Sequence, residues 1–125
     1  MSSRDELVRQ YKQARPVMGA YRILNTANGK MFIGASPDLR ARLNRHVASL
    51  RLGSEPNRQL QQDYISFGAD AFVFETLEVL EPLDDPGYDP AADLKVLERI
   101  WVAKLQPERV PGDVLGYNRL PRTAG

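Results

Sequence analysis

Cysteine is absent from the 125 residues, which removes disulfides, zinc–thiolate sites and thiol nucleophiles together. There is one histidine, and no cluster of His and acids stands at metal-ligand spacing. Neither a phosphate-cradling glycine loop nor a nucleophile-elbow sequence occurs, so nucleotide-fold and serine-hydrolase chemistry have no support. No apolar run approaches the roughly 18 residues that span a bilayer. The opening "MSSRDELVRQ" carries early acids and no apolar stretch of the kind a signal peptide needs. A cytoplasmic protein with no membrane contact is expected. Net charge is also nearly missing: 17 Lys and Arg against 16 Asp and Glu leave +1, too little to point to a partner.

What is present is ordinary in bulk and polarised in order. The hydrophobic set makes up 42% and the charged set 26%, which suits one globular domain with one core. A basic stretch holds Arg40, Arg42, Arg45, His46, Arg51 and Arg58, with Glu55 the lone acid. An acidic stretch follows, with Glu75, Glu78, Glu81, Asp84, Asp85, Asp89 and Asp93. Only the first could attract phosphates, and two plain solvated faces would look the same.

The local patterns predict an α+β domain. Ser3 and Glu6 have capping-box spacing before a helix that ends near Arg15, ahead of Pro16. In "GAYRILNTANGKMFIG", strands over 19–24 and 30–35 flank an Asn28-Gly29 turn. A helix follows with Ser36 as cap, Pro37 in its first turn, Leu39, Leu43, Val47 and Leu50 at helical spacing, and Gly53 as its end. A second spans about Asn57 to Phe67, with Leu60, Tyr64 and Phe67 inward. "AFVFETLEVL" alternates as a third strand, "EPLDDPGYDP" is a surface loop, and a last helix has Leu94, Leu97, Trp101 and Leu105 on one side. Residues 1–18 form an N-terminal helical extension, 19–119 the domain and 120–125 a flexible tail.

Three places are odd for a purely structural chain. Arg42 and His46 lie one helical turn apart beside the leucine stripe, where both heads can meet one ligand or be merely solvated and packed. Glu98 interrupts an apolar stripe, so an arginine, another cation or a metal is expected near it. "GYN" at 116–118 puts an asparagine after an aromatic, and a turn or cap explains it equally well.

Taken in order, "GAY", "NGK", "FIG", "SPDLRARLNRH", "NRQLQQD", "FGADAFVFETLE", "LERIWV" and "GYN" resemble the GIY-YIG nuclease family across residues 19–119. The resemblance implies a small three-stranded antiparallel sheet flanked by helices. It also implies hydrolysis of a DNA phosphodiester with one divalent metal, Mg2+ or else Mn2+. Carried over by position, the catalytic residues are Tyr21, Arg42, His46, Glu98 and Asn118. Glu98 is then the metal ligand, Arg42 the phosphate donor, Tyr21 and His46 the groups acting on the water, and Asn118 a support for Tyr21 or the phosphate. Arg40, Arg45, Arg58 and Asn57 are expected against the substrate.

Two positions depart from the family pattern. Phe32 stands where the second motif has tyrosine, and Glu55 stands near where some members carry a basic or aromatic residue. The sequence therefore predicts an endonuclease of low intrinsic sequence specificity. The alternative is a catalytically impaired module of the same scaffold that binds nucleic acid or protein. No appended DNA-binding domain is expected in a chain of this length. Structured or damaged DNA, or a partner protein, is expected to supply selectivity, with weak and salt-sensitive binding.

Overall fold

The computed structural model describes residues 16–105 and 116–118. The expected helix before Arg15 and the expected tail lie outside the described residues. Three strands form one antiparallel sheet: β1 (Met18–Asn25), β2 (Met31–Ser36) and β3 (Phe72–Leu80), in the order β2-β1-β3. Helices α1 (Leu39–Leu52) and α2 (Arg58–Phe67) fall between β2 and β3, and α3 (Ala91–Leu105) follows β3. This is the α+β architecture expected.

β1 is the central strand and pairs with both neighbours. Its residues Tyr21 and Ile23 face Gly34 and Phe32 on β2, and Thr76 and Phe74 on β3. They share a face with Leu39 and Leu50 of α1, Leu60 of α2, Phe72 and Tyr117, which together form the main core. Burying each leucine there contributes about 1.5–3 kcal/mol as an upper figure. The other face carries Ala20, Arg22 and Ile33, and α3 lies against β1 and β2. Arg22 and Glu75, opposite one another on adjacent strands, form an ion pair at 3.0 Å. Between the pairs Tyr21–Thr76 and Ala20–Glu78, β3 holds one extra residue, Leu77, a bulge that re-aims the strand.

Local chemistry departs from the sequence reading in three places. Asp38, not Ser36, caps α1: its side chain accepts from the Ala41 N–H at 3.1 Å. Ser36 is still paired within β2, and its hydroxyl bonds the N–H and C=O of Asp38 instead, so Pro37 precedes the helix. Phe67 is 47% exposed rather than inward, because α2 ends there at Gly68. Trp101 is half-buried at the helix edge, donating its indole N–H to Glu78 at 2.9 Å while Lys104 lies over the ring. Asn57 and Gly53 bound their helices as predicted. Among the described residues no helix is long and apolar enough to cross a membrane.

Candidate active site

The site starts from a glycine. A Cβ on Gly34 would lie 2.5 Å from Tyr21 Oη, 2.7 Å from Cζ and 2.9 Å from Cε1. The phenol ring of β1 therefore lies across the bare backbone of β2, and its hydroxyl reaches past the cross-strand pair. Gly19 has a different duty: a side chain there would collide with the Glu78 carbonyl of β3. The two motif glycines thus serve opposite neighbours of the central strand, one shaping the sheet and one shaping the site.

α1 delivers the next groups. Tyr21 Oη lies 2.9 Å from Nε2 of His46, and Nδ1 of the same ring lies 3.1 Å from Oε2 of Glu55. The Glu55 side chain is only 4% exposed. Phe32 closes the cluster. Its ring centroid lies 5.6 Å from that of His46, edge-on, and 6.2 Å from that of Tyr21. Phe32 thus forms the apolar wall of the site and brings no hydroxyl to it.

Arg42 and Glu98 bring opposite charges to the same hydroxyl. Burial raises the Tyr21 pKa above that of a free phenol; the Arg42 guanidinium beside it pulls the other way, and Glu98 and Glu55 add to the rise. Burial likewise raises the Glu98 carboxyl, opposed by Arg42. Among the described residues Glu98 and Arg42 form no ion pair with each other within 4.0 Å, and Glu98 accepts no hydrogen bond. The sequence expectation that a cation stands near Glu98 is met by Arg42 at longer range. Among the described residues, this half-buried carboxylate has no hydrogen-bond or ion-pair partner.

The remaining predicted residues divide. Arg40, Arg45 and Arg58 are exposed and in no ion pair among the described residues. Asn57 and Asn118 are spoken for by the fold. Asn57 accepts from the Leu60 N–H at 3.1 Å as the cap of α2 and donates to the Tyr117 carbonyl at 2.8 Å. Asn118 accepts from the Ile33 N–H at 2.7 Å and donates to the Ile33 carbonyl at 2.8 Å. Its amide completes the free edge of β2 as another strand would, one residue away from Gly34 and Phe32.

Sequence reasoning missed two sets of partners. Gln61 is buried, accepting from the Glu55 N–H at 3.1 Å and donating to the Leu50 carbonyl at 3.0 Å. Tyr117 is buried too, donating to Asp63 at 2.6 Å and accepting from Asn25 at 3.2 Å, and burial with the Asp63 bond drives its pKa upward. One signal for the second lay in the sequence: Asp63, an aspartate inside a helix, needs a partner.

Comparison with known proteins agrees with the fold. A family model described as the GIY-YIG catalytic domain matches residues 17–108. Intron-associated endonuclease 1 of Enterobacteria phage T4 is 30% identical over 109 residues, covering 86% of this chain and 38% of that protein. The chain therefore spans well under half the length of that relative. Two solved structures share the fold. One is the catalytic domain of intron endonuclease I-TevI carrying a glutamate-to-alanine change, with a TM-score of 0.66, 25% identity and coverage of 87% of this chain and 99% of that one. The other is the catalytic domain of homing endonuclease I-TevI, with a TM-score of 0.63, 25% identity and coverage of 83% and 99%.

Proposed function

The chain belongs to the GIY-YIG catalytic-domain family, and from that premise we propose that it is a DNA endonuclease that hydrolyses phosphodiester bonds with a divalent cation. The observation that carries the reading is geometric: the buried Tyr21 hydroxyl sits 2.9 Å from Nε2 of His46, with the Arg42 guanidinium beside it.

In-line attack on a phosphodiester needs a water relieved of a proton, a donor for the phosphate oxygens and relief of charge on the leaving oxygen. Tyr21 Oη takes the water's proton as its own passes to Nε2 of His46, the nitrogen already beside it. The Arg42 guanidinium, a planar fork, donates to a non-bridging oxygen. Glu98 is suited to hold Mg2+ or Mn2+, since a hard cation that keeps most of its water needs one or two carboxylates together with substrate phosphate. A cation there supplies charge neutralisation at the phosphate and the leaving oxygen. Asn118 braces β2, keeping Gly34 under the Tyr21 ring.

Arg40, Arg45 and Arg58 extend the positive surface along the backbone of a DNA duplex. With a net charge of +1, binding is salt-sensitive and sequence readout slight. Structured or damaged duplexes, or a protein partner, then set the target, and a cytoplasmic setting belongs to the same proposal.

The test is cleavage of supercoiled plasmid and branched duplexes with and without Mg2+ or Mn2+, beside Glu98→Ala. Metal-dependent nicking that the variant lacks supports the reading. Phe32 favours a second reading, a scaffold kept for binding, because a hydroxyl expected of the family pattern is gone. Salt-dependent DNA binding with no cutting by either protein would select that one.

A further inference from the structure

We infer that Glu55 is a positioning residue that sets the tautomer of His46 and so gives the Tyr21 proton a direction of travel. The inference rests on the nuclease reading of the site and assigns a role to a residue in the loop between α1 and α2.

Donors and acceptors on either side of the ring fix its tautomer. An ionised carboxylate only accepts, so at 3.1 Å from Oε2 of Glu55 it is Nδ1 of His46 that carries a hydrogen. In the neutral ring the other nitrogen then holds a lone pair. That nitrogen, Nε2, lies 2.9 Å from Tyr21 Oη, so the phenol donates to it. Had Nε2 carried the hydrogen instead, Glu55 would face a lone pair, and Tyr21 would have no acceptor on this ring. When the proton moves from Oη to Nε2, the ring becomes an imidazolium with N–H bonds toward both neighbours. Its positive charge then sits against Glu55. The phenolate left behind takes one proton from the attacking water, and no other bond changes on the protein. This is the arrangement in which a base is oriented by a third group.

Glu55 is itself held for the task. Its N–H donates to Gln61 at 3.1 Å, and Gln61 donates to the Leu50 carbonyl at 3.0 Å, which ties the loop to the end of α1. The Asn57 N–H lies 3.4 Å from Oε1, leaving Oε2 for the histidine. The buried carboxylate is engaged on both oxygens, by the Asn57 N–H at Oε1 and by the His46 ring at Oε2. Burying one is costly unless it is paired, and an apolar side chain would fill the space at lower cost.

The chain has one histidine, so nitrogen NMR of the imidazole reads the tautomer without assignment. At a pH where the ring is neutral, the wild-type protein should show the hydrogen on Nδ1. Glu55→Ala should shift the population toward the hydrogen on Nε2 and lower kcat by about 10²-fold, with KM for duplex DNA held within about twofold. Glu55→Gln, close in shape and still able to accept through its amide oxygen, should keep the tautomer and lose about tenfold in kcat because the charge is gone. It also covers the case in which the alanine variant does not fold. Three results would overturn the inference: the Nε2–H form in the wild type, an unchanged tautomer in Glu55→Ala, or a changed tautomer at full kcat. If the wild type cuts no DNA the nuclease reading fails, and the spectrum still decides whether Glu55 holds the ring.

Discussion

Gly34→Ala adds one carbon at the point where two strands make the site. The new Cβ would stand 2.5 Å from Tyr21 Oη and 2.7 Å from Cζ, whereas carbon contacts settle at about 3.5–4.0 Å. Something must move by about 1 Å. β2 is pinned to β1 on one side and to Asn118 on the other, so the phenol ring is the part that yields. Tyr21 is 1% exposed and packed within the main core. Overpacking of this kind costs about 1–3 kcal/mol, and a displacement of about 1 Å of a reacting group costs about 10²-fold in rate. Denaturant unfolding and single-turnover plasmid cleavage read the two effects. Gly87→Ala is the control, since a Cβ there meets only Asp85 at 3.7 Å, and both measurements should stay at wild-type values. A Gly34→Ala protein of unchanged stability and rate would refute the placement of the tyrosine over the glycine.

Other expectations follow from the same geometry. Phe32→Tyr restores the hydroxyl of the family pattern beside His46. If that hydroxyl contributes one hydrogen bond to the reacting water, cleavage should rise by about 5–100-fold, read under single turnover. Glu98→Gln should abolish metal-dependent cutting yet raise Tm at neutral pH. The folded-state pKa of Glu98 is raised, so the ionised form opposes folding. The gain in Tm should vanish below the unfolded carboxyl pKa, where both states are protonated, and grow as pH rises through the folded one. Thermal melts of metal-free protein across acidic to neutral pH check that sign. Asn118→Ala strands both Ile33 backbone groups at the edge of β2 and should cost about 1–3 kcal/mol in denaturant unfolding.

Local order was readable from local chemistry. The Asn28-Gly29 turn and the stops at Gly53 and Gly68 each depend on residues within a few positions of one another, and each stands in the structure, as does strand β3, whose alternation is broken by the bulge at Leu77. The cap of α1 was misread because Ser36 and Asp38 are both good caps, and only the pairing of β2 decides between them. Arg42 and His46 are neighbours on one helical turn, whereas their meeting with Tyr21 is a property of the packed sheet and helices. What stayed hidden involved partners far apart in the chain. Asn118 reaches Ile33, Tyr117 reaches Asp63 and Asn25, and Gln61 reaches back to Leu50. Glu55 was noticed only as a departure from a pattern, since no local spacing reveals a bond to His46. The same distance explains why Asn57 read as a substrate ligand: its capping role is local, but its bond to the Tyr117 carbonyl is not.

The central claim is that phosphodiester chemistry passes through the Tyr21 hydroxyl. Tyr21→Phe removes that oxygen and leaves the buried ring, so the fold and DNA binding should persist. Single-turnover cleavage at saturating duplex DNA and Mg2+ is the measurement. The expected rate is at least about 10²-fold below wild type, with unchanged DNA affinity. Cleavage at the wild-type rate would contradict it and move the chemistry to another group.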